Sequence, residues 1–104
     1  MKLERSYEFS DEEVLARLHA LTDYWAKKHG VASSWEGPRV SLKGKVLGVR
    51  FDGTVDVGGG KIVANVSAGL LAERLGGARY VESKLDDYLD PANSVAALVA
   101  RIPA

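Results

Sequence analysis

His19 and His29 are the residues of this chain best suited to ligating a metal or moving a proton near neutral pH. Their ten-residue separation along what reads as one helix puts them roughly 80–100° out of phase, at about 100° per residue. Two such imidazoles cannot complete a tetrahedral site without outside ligands, and the chain contains no cysteine to supply them. The expectation is therefore a helix-surface His19 and a His29 that complements the negative pole at the helix end together with Lys27 and Lys28.

The run Gly58-Gly59-Gly60-Lys61 invites a phosphate-loop reading. That signature requires glycine where Val55 stands, Ser or Thr where Ile62 stands, and a strand leading into a helix. None of these conditions is met, and a glycine hairpin turn explains the run better. Glu82, Asp86, Asp87 and Asp90 gather carboxylates that could hold a hard cation, but without calcium-hand spacing they read as a solvated acidic face. Acid close to a helix C-terminus is mildly unfavourable, so the placement of these residues has no explanation at the level of sequence. The serines lie outside any Gly-x-Ser-x-Gly elbow, and neither histidine has an evident orienting partner. Lys43, Lys45 and Arg50 are too few, and too interrupted by acid, to form a nucleic-acid stripe. The expectations are no catalytic residues, no cofactor, no metal and no nucleic-acid partner.

Large aromatics remain. Trp25 and Phe51 are of the right kind to line an apolar cavity between a helix and a bent sheet, although such rings in a small domain mostly fill the core. Trp35 lies in Ser33-Ser34-Trp35-Glu36-Gly37-Pro38, which reads as an irregular approach to the sheet that leaves the indole partly exposed.

The elements that position these residues follow from periodicity. Leu3, Arg5, Tyr7 and Phe9 alternate with polar residues as in a half-buried strand. Ser10 and Glu13 form a capping box, so a helix starts at Asp11; Val14, Leu18, Leu21 and Trp25 make its buried stripe, and Gly30 its left-handed stop. A hairpin loop at Gly44-Lys45 would set Leu42 opposite Leu47 and Val40 opposite Val49. The next strand runs on through Gly53, a bulge or bend where a side chain would crowd. A turn at Gly58-Gly59 would place Val55 against Ile62, Gly53 against Ala64 and Phe51 against Val66. Leu70, Leu71 and Leu75 lead to Gly76-Gly77, which would interrupt a helix, so the second main helix is expected from Ala78, with Val81, Leu85 and Tyr88 inward and a stop at Asp90-Pro91. Val95, Leu98, Val99 and Ile102 then form the stripe of a short helix capped by Asn93 or Ser94.

The predicted fold is α+β, in the order β-α-β-β-β-α plus a short C-terminal helix, with a mainly antiparallel sheet covered by helices on one face. Residues 1–90 form one domain, and 91–104 an amphipathic extension that packs on it or on a partner. Composition agrees: 104 residues, 46% of them hydrophobic, suit one core, and 14 Lys plus Arg balance 14 Asp plus Glu, giving no global field toward nucleic acid or anionic lipid. With no apolar leader or membrane-spanning run, a cytoplasmic protein is expected.

Trp35-Glu36-Gly37, Lys43-Gly44, Gly48, Asp52-Gly53-Thr54-Val55 and Gly69-Leu70-Leu71-Ala72, in this order and spacing, resemble the polyhydroxyalkanoic acid system family over about Lys2 to Leu89. The resemblance implies a bacterial, non-enzymatic protein associated with polyhydroxyalkanoate storage granules, and it carries over no catalytic or binding residue. Its expected partners are the granule surface, granule proteins, or a second copy through a free sheet edge. Candidate surface contacts are Trp35, Val95, Leu98, Val99 and Ile102. The alternative is a small-ligand-binding protein or enzyme using a cavity lined by Trp25 and Phe51.

Overall fold

Local chemistry fixes the first helix. In the computed structural model, which describes residues 2–46, 49–68 and 77–103, the Ser10 side chain accepts from the Glu13 amide at the start of α1 (Asp11–His29). At the other end Gly30, with φ 69°, turns the chain so that its own N–H and that of Val31 reach back to the carbonyls of Ala26 and Trp25. Between these caps, Val14, Leu18, Leu21 and Trp25 are all buried, as their spacing demands.

The remaining elements among the described residues are β1 (Lys2–Ser6), β2 (Ala32–Glu36), β3 (Arg39–Val46), β4 (Val49–Gly58), β5 (Lys61–Ala68), α2 (Gly77–Tyr88) and α3 (Val95–Val99). The strands form one antiparallel sheet in the order β1-β5-β4-β3-β2. One face carries Val40, Leu42, Val57, Ile62 and Ala64, which are buried in the core that α1, α2 and α3 complete with Leu85, Tyr88 and Leu98. The other presents Ser41, Lys43, Asp52 and Asn65 to solvent. The α+β class with helices on one face is thus the observed architecture.

Three details differ from the sequence reading. The sheet has an additional strand: Ala32–Glu36, read as an irregular approach, is β2, paired along its whole length with β3. Its small polar residues carry no alternating signal, and the pairing is supplied by the reversal at Gly37-Pro38, where Gly37 adopts φ 56°.

The β3–β4 register is also longer than expected. Val40 pairs with Val55 rather than Val49, and Leu42 with Gly53 rather than Leu47, so the hairpin closes at Val46 and Val49 instead of around Gly44-Lys45. Leu47 and Gly48 between them lie outside the described residues. Gly44 serves another purpose: a Cβ there would approach the Val31 Cα to 3.1 Å, because the chain leaving α1 crosses close above it. The β4–β5 register is displaced as well, with Val57 opposite Ile62, Val55 opposite Ala64, Gly53 opposite Val66 and Phe51 opposite Ala68. Its turn is Gly59-Gly60, both with positive φ, the backbone that a two-residue hairpin of this twist needs. Both displacements are even along the strand, so apolar residues stay on the core face. Face parity constrains a register only to steps of two, and several steps satisfied it equally.

The predicted interruption at Leu70, Leu71, Leu75 and Gly76 lies outside the described residues. The second helix and its stripe are present: Leu85 and Tyr88 are buried and Val81 half-buried, and the helix ends at Tyr88, ahead of Asp90-Pro91.

Candidate functional site

The connection that leads to the C-terminal stripe is held by a buried arginine. Arg17 follows Val14 by three positions, which puts it on the apolar face of α1, and it is buried there. Its Nη1 faces three carbonyl oxygens, those of Tyr88 at 3.0 Å, Asp90 at 3.3 Å and Asn93 at 2.8 Å, while Nε donates to Glu13 Oε2 at 3.1 Å. The guanidinium also lies 4.2 Å from the centroid of the Phe9 ring. A helix leaves its last carbonyls without intrahelical partners, and the Arg17 cation satisfies those at the end of α2 and along the connection to α3.

This node resolves the acidic run. Asp86 pairs with Arg5 at 2.8 Å, and Asp87 with Arg101 beyond α3. Asn93 Nδ2 donates to both the carbonyl and a carboxylate oxygen of Asp87, and Asp90 Oδ1 accepts from the Ala92 amide. Asp87 therefore clasps the C-terminal segment while Asp86 ties α2 to β1, and Arg101 and Arg5 offset the unfavourable position of these acids. Arg101 also lies over the Tyr88 ring, at 5.4 Å.

Hydrogen bonding from Arg101 is the largest cause holding the Asp87 carboxyl below the usual carboxylate range, against opposing burial. A depressed folded-state pKa contributes stability that is present above the unfolded value and lost as pH falls through the folded one. The pair is partly exposed, so solvent screening keeps its contribution small, below about 1 kcal/mol. Asp87→Asn is expected to lower stability by about 0.5 kcal/mol at neutral pH, with the difference from the parent shrinking below about pH 4 and vanishing at lower pH. Urea unfolding across pH 2–7 checks this, and a difference that stays constant through acidification would contradict it.

Within the stripe the four residues have different fates. Leu98 is fully buried and belongs to the core. This corrects its assignment as a surface contact: α3 packs on α1, and one side of so short a helix must point inward. Val95 and Ile102 are half-buried, and Val99 is 49% exposed. The Ser94 side chain accepts from the Ala97 amide and starts the helix.

Trp35 lies on edge strand β2 rather than in an exposed loop. Its indole N–H donates to Thr22 Oγ1 at 3.2 Å, and its ring stacks on His19 with centroids 3.9 Å apart. Half-buried by these contacts, it offers little apolar face to solvent. Trp25 is in the core, with its N–H donated to the Tyr80 hydroxyl at 3.2 Å, and Phe51 packs against the same cluster. Lys84 lies near the rings of Tyr24 and Tyr80, at 5.3 and 5.8 Å.

Sequence reasoning missed Arg17, Asn93 and Arg101 as organising residues. One signal was available for Arg17: an i+3 position within the Val14, Leu18, Leu21 stripe.

A five-stranded antiparallel sheet, helices on one face and a clasped C-terminal helix define a small α+β domain. The sequence profile of the family described as "Putative polyhydroxyalkanoic acid system protein" matches residues 1–92, and the chain belongs to that family. No curated protein and no solved structure matches it. The matched span includes Arg17 and ends just before Asn93, so α3 lies beyond it. Among the described residues, no helix is long and apolar enough to cross a membrane.

Proposed function

We propose that the protein is a non-enzymatic accessory component of bacterial polyhydroxyalkanoate storage, acting in the cytoplasm at the granule surface or on proteins bound there. The observation that carries this reading is the family match over residues 1–92. The physical support is the exposed side of α3. Val99 stands out from the surface, flanked by the half-buried Val95 and Ile102, and together they offer a small apolar contact to a polyester surface or a granule protein. Leu98 anchors the helix beneath them.

The test is co-sedimentation of the full-length protein with protein-stripped polyhydroxyalkanoate particles across a salt series. Val99→Asp is the informative variant, because it alters the exposed side of α3 and leaves Leu98 in the core. Binding that resists salt and falls severalfold in Val99→Asp is the expected result, since apolar adhesion is not screened. Absence of binding by the parent protein would overturn direct polymer contact.

A further inference from the structure

We propose that the protein forms a symmetric dimer by antiparallel pairing of β2 with β2 of a second copy. Among the described residues, β2 ends the sheet, and four of its five residues are exposed, with only Trp35 half-buried. Edge strands usually carry lysine, proline, a bulge or inward-pointing charge that blocks pairing. The opposite edge, β1, carries Lys2, Glu4 and Arg5, with Glu4 bound to Lys61 and Arg5 to Asp86. β2 carries one charge, the exposed Glu36 at its end, and no lysine, proline, bulge or inward-pointing charge: its sequence is Ala32-Ser33-Ser34-Trp35-Glu36.

The hairpin selects the register. A two-residue loop at Gly37-Pro38 makes Glu36 and Arg39 the closing hydrogen-bonded pair, so bonding toward β3 alternates through Glu36, Ser34 and Ala32. The N–H and C=O groups of Ser33 and Trp35 are then turned outward. A twofold axis through Ser34 sets Ser33 of each copy opposite Trp35 of the other, which pairs every one of these outward groups within the strand. The small Ser33 also leaves room beside the indole.

Charge supports the same register. On the solvent face Lys43 lies opposite Ala32, and Arg39 opposite Glu36. Pairing about Ser34 brings Glu36 of one copy opposite Ala32 of the other, producing the row Arg39, Glu36, Ala32, Lys43 across the junction. Glu36 then sits between a cation of its own chain and, across the short Ala32, a cation of the second copy. Among the described residues, neither Glu36 nor Lys43 has an ion-pair partner within its own chain. A twofold perpendicular to the sheet leaves both helical layers on the same side of the joined sheet.

The experiment is sedimentation equilibrium of the full-length protein with three sets of variants. Ser33→Pro removes an outward N–H without breaking the β2–β3 ladder, and is expected to raise the dimer dissociation constant at least about tenfold while the monomer stays folded. Glu36→Lys is expected to weaken the dimer, and Lys43→Glu in the same chain to restore it. Ser34→Cys would put two thiols in a non-hydrogen-bonded pair with Cα atoms about 4.5 Å apart, inside the disulfide range. The native chain has no cysteine, so a disulfide-linked dimer on mild oxidation reports this contact directly, and Ser6→Cys on the opposite edge is expected to link far less. A parent protein that stays monomeric up to about millimolar concentration would overturn the proposal, as would a dimer indifferent to Ser33→Pro in which Ser34→Cys links no better than Ser6→Cys.

Discussion

Arg17→Leu is expected to lower stability by about 3 kcal/mol, reducing the melting temperature by roughly 12–24 °C for a domain of this size. Leucine fits the apolar face of α1 and removes a buried cation, which by itself is not costly. The loss comes from the acceptors left behind. The carbonyls of Tyr88, Asp90 and Asn93 all face Arg17 Nη1, and a buried acceptor stripped of its donor costs about 1–3 kcal/mol. Arg17→Lys should fall between parent and leucine variant, since an ammonium keeps the charge but cannot reproduce the planar fork that serves Glu13 and the carbonyls together. Urea denaturation followed by circular dichroism measures both. A loss under about 1 kcal/mol for Arg17→Leu would show that water replaces the guanidinium, and that the connection to α3 does not depend on it.

Gly53→Ala is expected to cost about 2–4 kcal/mol, an effect at or above the upper end of ordinary overpacking. A Cβ at this position would come within 2.6 Å of the Asn65 carbonyl oxygen and 3.1 Å of the Val66 Cα, both backbone atoms of the paired strand. No rotamer change relieves such contacts, so β4 and β5 must separate locally. Gly58→Ala is the matched control: it lies in the same strand, would meet nothing within 4 Å, and is expected to change stability by less than about 0.5 kcal/mol. Equal behaviour of the two variants in thermal unfolding would refute the close approach at Gly53.

The crowding at Gly53 could be anticipated because it interrupts an otherwise regular alternation from Val49 to Val57, and an unpacked position within a strand calls for a backbone reason. The tail was legible in part. The spacing of Val95, Leu98, Val99 and Ile102 defines an apolar stripe, but in so short a helix spacing does not say which residue is buried. Contact with α1 buries Leu98 and leaves Val99 exposed.

Elements whose signals are local were legible from the chain alone. These include α1 with its Ser10 and Gly30 caps, the inward faces of both main helices, the end of α2 before Asp90-Pro91, and the parity of β3, β4 and β5. Each follows from hydrogen bonds or side-chain directions set within a few residues. Choices that are degenerate at that range were settled by packing between distant segments. Shifts of two or six residues in strand pairing preserve the same face, so longer ladders and the turn at Gly59-Gly60 selected the register. β2 became a strand through pairing with β3, not through the propensity of its serines. Arg17 acquired its part because helix packing brought it to carbonyls more than seventy residues away, beyond the reach of any local pattern.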